Sequence, residues 1–245
     1  MRASMRRWSL LIVTVAPFIG GCFKLARETP PIQYYVLGGP NPAGANGTPN
    51  DGSSTVLRNS SSAAGDTSSP NVKGVAVGLR RIDLASYLTV PSIVTRRGAN
   101  EITASEFHRW GENLGDGINR VVAARLAGMP PVRSVDVAPW GAKAPHDFLL
   151  QLHITRFEGE AGATATEWRS HVAADWDIVR SSDGRVLVRG RSEGMSAPGR
   201  VGDYAGLVSG LDATLTTIAR DISSCLARFP NDSTPPAPPA GCGPR

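Results

Sequence analysis

The residues best suited to metal or covalent chemistry in this 245-residue chain are four histidines and three cysteines. His108, His146, His153 and His171 show no His-x₃-His spacing, and none neighbours a cysteine, so the spacings typical of zinc sites are missing. In an alternating strand His153 and His171 fall on a polar face, the latter with Asp175 and Asp177, and are expected in water. The sequence has no Gly-x-Ser-x-Gly elbow, Walker-type phosphate loop or dinucleotide fingerprint. Gly206-Leu207-Val208-Ser209-Gly210 has the wrong spacing for an elbow and lies inside a helical pattern. The residues therefore point away from an enzyme, and to no metal or cofactor.

Cys22 has a different chemistry. Arg6-Arg7 is followed by an apolar run from Trp8 to Ile19, then by Gly20-Gly21-Cys22. A basic start, a short apolar stretch and small residues before a cleavage point make a secretory signal. The run falls short of the roughly 20 apolar residues of a spanning helix. Cysteine directly after two glycines is similar to the bacterial lipobox, which implies cleavage between Gly21 and Cys22 and acylation of the Cys22 thiol and amine by chains such as palmitate. Two or more acyl chains hold a protein on a membrane where one does not. Phe23 in place of an aspartate leans towards the outer membrane. In an oxidising periplasm Cys225 and Cys242 are candidates for a disulfide.

Composition divides the rest of the chain. Residues 22–33 read as a membrane tether, 34–229 as one folded body and 230–245 as a disordered Pro-rich tail. Within the body, residues 40–71 are dominated by Gly, Ser, Asn, Pro, Ala and Thr and read as a disordered insert, too poor in apolar surface to offset the entropy of ordering. The net charge of +5 includes Arg2, Arg6 and Arg7 of the signal; without them 23 basic residues face 21 acidic ones, a net of +2. That near-balance gives no footprint for nucleic acid.

Strands are expected at Tyr34–Leu37, Val72–Leu79, Ser92–Arg97, Asn100–Thr103, Val132–Val137, Phe148–Phe157, Trp168–Val179 and Arg185–Arg191, with a hairpin signal at Ser182-Asp183-Gly184. Thr103-Ala104-Ser105-Glu106 has the form of a capping box. It predicts a helix carrying Phe107, Trp110, Leu114, Ile118, Val121 and Leu126 on one face. Asp203 is placed to cap a last helix with an apolar stripe from Tyr204 to Leu226. The expected fold is α/β: a mostly antiparallel sheet with one wet face and two long amphipathic helices packed on it. Arg80-Arg81 and Arg96-Arg97 flank the loop of Tyr87 and Leu88, as a solvated basic rim or a docking surface for an acidic partner or lipid headgroups.

Taken in order, these segments resemble the ABC-type transport auxiliary lipoprotein family, the PqiC-like proteins. The matching residues are Tyr34-Tyr35-Val36-Leu37, Gly74-Val75-Ala76-Val77-Gly78, Tyr87-Leu88, Ile93-Val94-Thr95-Arg96, Asn100-Glu101-Ile102, Glu106 to Leu114 and Asp203-Tyr204. The family's Arg-Trp-Ala-Glu-Pro-Leu-like run is Arg109-Trp110-Gly111-Glu112-Asn113-Leu114 here. The resemblance implies a non-catalytic, lipid-anchored, periplasm-facing component of a lipid transport system. Its partners would be an MCE-domain protein, an ABC permease and an ATPase, with association into homo-oligomers left open. Tyr87, Leu88, Arg96, Arg97 and Trp110 are the residues expected to meet the MCE partner. A structural or assembly lipoprotein of the envelope and a direct periplasmic lipid carrier stay open as alternatives.

Overall fold

The computed structural model describes residues 29–39, 74–141, 144–162, 164, 166–229 and 242. The signal segment, Cys22, most of the tether, the 40–71 insert and the tail except Cys242 lie outside the described residues. The chain divides into Met1–Pro31 and Ile32–Arg245, and the fold is that of the second unit.

The spine is β7 (Phe148–Ala161), a strand with Phe148, Leu150, Leu152 and Ile154 all buried on one face. A register shift between Ile154 and Arg156 inserts a bulge, which changes the parity of the strand and turns Phe157 into the core. One edge of β7 receives β2 (Val75–Leu79), β3 (Asp83–Leu84) and β4 (Ser92–Arg97) in succession, all parallel to it. Its other edge carries β8 (Glu167–Arg180) antiparallel, and β8 in turn carries β9 (Val186–Met195) and the two-residue β10 (Gly199–Arg200). β6 (Val132–Val137) lies parallel to β2, while β5 (Glu101–Trp110) pairs antiparallel with β4 and parallel with the short β1 (Gln33–Tyr35).

The sheet is therefore mixed rather than mostly antiparallel. The expected hairpin meander exists as β7–β8–β9, but five of the nine described pairings are parallel. Helix α1 (Leu114–Ala127) crosses from β5 to β6, and the chain between β2 and β4 runs along β7; these excursions produce the parallel neighbours.

The expected helix start is corrected. Residues 101–110 form β5, and the Thr103–Glu106 box caps nothing. Thr103 and Ala104 pair with Thr95 and Val94, Tyr35 pairs with Trp110, and the Trp110 amide donates to the Pro91 carbonyl at 2.7 Å. A capping box satisfies a few amides locally, whereas this ladder satisfies the segment on two edges and seats Trp110 in the core. The helix begins only at Leu114, after β5 has ended, where the Asn113 side chain accepts from the Asp116 amide at 3.2 Å.

Helix α2 (Tyr204–Leu226) starts where expected, with Asp203 accepting from the Gly206 amide at 2.8 Å. Its stripe of Leu207, Leu211, Leu215, Ile218 and Ile222 is buried over β8 and β9. It meets Ile118, Val122 and Leu126 of α1 in one continuous core. Among the described residues no helix is long and apolar enough to cross a membrane.

Candidate docking surface

The surface begins with a buried charge. Glu158 on β7 has no solvent exposure, and an isolated carboxylate there would carry a large desolvation cost. Arg96 on β4 meets that cost: its Nε donates to Glu158 Oε1, and a second guanidinium nitrogen donates to Oε2 at 3.3 Å. The remaining nitrogen donates to the Ala99 carbonyl at 3.0 Å and braces the turn at Gly98, where φ is +60°. The Glu158 hydrogen bond holds the Arg96 guanidinium above its ordinary pKa.

Tyr87 completes the group. It sits on a 3₁₀ turn, Ser86–Leu88, and its hydroxyl donates to the Thr155 carbonyl at 3.1 Å. The Arg96 guanidinium lies 5.5 Å from the centroid of its ring, a cation–π contact. Burial, followed by the nearby Glu158 carboxylate, pushes the Tyr87 phenol up to about 12. Tyr87 and Arg96 are thus pinned, and neither is a freely mobile rim residue.

Of the other expected docking residues, Arg97 is exposed, as are Arg80 and Arg81, and none of the three forms an ion pair among the described residues. Leu88 and Trp110 are corrected: they are 2 % and 6 % exposed and belong to the core, Trp110 tilting against Phe157 with ring centroids 5.8 Å apart. Their apolar bulk is spent internally, so the surface offered to a partner is the half-buried Tyr87 ring, bordered by cations.

The histidines divide. His153 is exposed as expected. His171 is not: it is 3 % exposed, with Nδ1 2.5 Å from Glu160 and Nε2 2.6 Å from Glu193. Arg156 lies 3.3 Å from the same Nδ1. This polar face of the sheet is closed over by long side chains from β7 and β9, which only strand register could reveal. His108 stacks on Tyr204 at 3.7 Å and meets the Tyr35 hydroxyl at 3.0 Å; burial holds its pKa below the ordinary value. His146 meets Asp136 at 2.8 Å and packs edge-on to Trp140. Asp175 and Asp177 lie 4.0 and 3.8 Å from Arg191 and Arg189 across the β8–β9 ladder. No group of three or more His, Cys, Asp or Glu residues suited to holding a metal is present among the described residues. Cys225 and Cys242 form a disulfide, which fixes Cys242 against the end of α2.

The profile of the family described as "ABC-type transport auxiliary lipoprotein component" matches residues 57–223. The chain belongs to this family. That membership makes it a lipoprotein and an auxiliary component of ABC-type transport, a class that works at the cell envelope, facing the periplasm. No curated protein matches the chain in sequence. Among solved structures, a Xanthomonas campestris protein of the DUF330 family is 16 % identical, with a TM-score of 0.53 over 61 % of this chain and 82 % of that one. A PelC dodecamer from Paraburkholderia phytofirmans is 16 % identical, with a TM-score of 0.38 over 62 % and 87 %. A minor lipoprotein from Acinetobacter baumannii is 11 % identical, with a TM-score of 0.34 over 63 % and 95 %. The first of these likenesses is one of fold alone, and the other two are too distant to carry an argument.

Proposed function

We propose that this lipoprotein is the non-catalytic docking component of an envelope ABC system that moves lipids, anchored through Cys22 to the outer membrane and joined to an MCE-domain partner. The ATPase of that system supplies the energy, and this chain supplies position. The observation that carries the reading is the family match across residues 57–223, which spans the whole of the β2–β9 body and nearly all of α2.

The surface around Tyr87 supports a docking role. A partner that meets Tyr87 encounters a preset geometry, because Arg96, Glu158 and the Thr155 carbonyl already fix its turn. Little side-chain entropy is then left to lose on binding. Exposed Arg80, Arg81 and Arg97 suit an acidic patch on the partner and would act mainly on encounter rate and orientation.

The test is co-purification of the full-length lipidated protein carrying Tyr87→Ala and Arg97→Glu together. The double variant is expected to keep the wild-type circular dichroism spectrum and to lose its MCE-domain and permease partners. Undiminished recovery of both partners would overturn this placement of the surface.

A further inference from the structure

The extended segment around β1, residues 32–37, has two unlike faces. Tyr35 and Leu37 point inward, Tyr35 towards His108 and Leu37 into the core at 2 % exposure. The alternate residues Ile32, Tyr34 and Val36 are 43 %, 65 % and 54 % exposed. They form an apolar stripe in which Tyr34 lies on β1 and Ile32 and Val36 lie just beyond its two ends; β1 pairs only with β5 among the described strands. Gly111 continues the stripe: a Cβ there would stand 3.2 Å from Val36 and 3.7 Å from Tyr34, so a bare backbone patch fills the space between them.

We infer that this stripe rests on the bilayer surface, among the headgroups and upper acyl chains. The inference depends on the proposed anchor at Cys22. Ile32 is only ten positions after Cys22, so the start of the stripe lies within about 33–36 Å of the anchored cysteine even with the tether fully extended. It is the part of the folded body nearest in sequence to the membrane. Its chemistry fits that place: two aliphatic side chains flank a tyrosine, whose apolar ring and polar hydroxyl suit the interface. The tether sequence carries Lys24 and Arg27 against one acid, Glu28, which favours anionic headgroups. Three apolar side chains would bind a membrane weakly alone, but a short tether raises their effective concentration at the surface. A partner strand added to β1 is the competing occupant. It is disfavoured because a three-residue strand offers only a short ladder.

The full-length lipoprotein is reconstituted in vesicles of phosphatidylethanolamine and phosphatidylglycerol, with photoreactive benzoylphenylalanine in place of Tyr34, Val36 or, as control, Val186 on β9. After irradiation, intact-mass analysis is expected to find lipid adducts at positions 34 and 36 in several-fold excess over position 186. Adducts to a second copy at position 34, or lipid adducts no more frequent than at 186, overturn the inference. The same spectra report the acyl mass on Cys22. An unacylated Cys22 removes the anchor and the proposed function's membrane attachment with it, whereas an acylated Cys22 without lipid at position 34 refutes the contact alone.

Discussion

Arg96 and Glu158, 62 positions apart in the chain, form an ion pair whose carboxylate has no solvent exposure and whose guanidinium side chain is 13 % exposed. The pair locks β4 to β7 at the point where the Tyr87 turn lies over both. Removing one partner strands the other charge in the interior. Glu158→Leu or Arg96→Met is therefore expected to destabilise by about 3–5 kcal/mol. The double substitution should recover most of that loss. Urea unfolding of the three variants measures it, and single-variant losses below about 1 kcal/mol, the range of an exposed pair, would contradict a buried pair.

Tyr87 gives a spectroscopic report on the same group. Its phenol titrates at about 12, above the ordinary 10.0, because burial and Glu158 oppose the phenolate. The folded state thus prefers the neutral phenol. Its contribution to stability is complete below pH 10 and is lost as pH rises through about 12. The difference in ultraviolet absorbance between wild type and Tyr87→Phe should show one phenol ionising near pH 12. A midpoint at 10 would mean that the ring is free of Glu158.

His108 acts at the other end of the pH scale. Burial depresses its pKa below 6.5, so the folded state prefers the neutral ring that stacks on Tyr204. Its contribution is complete above pH 6.5 and is lost as pH falls through the lower folded value. Thermal melts between pH 7.5 and 5 should show wild type losing more stability than His108→Gln. Parallel losses in the two proteins would remove His108 from the account.

Trp176 lies across its cross-strand partner Gly190, and a Cβ at position 190 would come within 2.2 Å of the indole. The same indole donates to Ser192 at 3.0 Å inside the core. Gly190→Ala must displace the ring, at a cost of about 1–3 kcal/mol for overpacking. Urea unfolding and the near-ultraviolet circular dichroism of the tryptophans read the effect, and an unchanged near-ultraviolet spectrum would contradict the placement.

Part of this architecture is legible in the residues themselves. The α2 stripe, its Asp203 cap and the alternation of Phe148, Leu150, Leu152 and Ile154 are local patterns, and the structure has them where the sequence puts them. β5 is different. Its Thr103–Glu106 segment satisfies a local helix rule, and only pairing with β4 and β1, from outside the window, decides for strand. The parallel neighbours of β7 are hidden for the same reason, since their register joins segments more than 60 residues apart. At the docking surface the cations are visible in the sequence. The apolar spacing of Trp110 already favours the core, but the burial of Leu88 and the role of Glu158 are not visible, because strand pairing and a bulge set them.

The central claim is that this chain serves a transporter as its docking component. It is tested most directly by crosslinking the intact lipoprotein in envelope membranes, purifying it and identifying its companions by mass spectrometry. The account predicts an MCE-domain protein together with an ABC permease. Recovery of only peptidoglycan-associated or assembly proteins would contradict it.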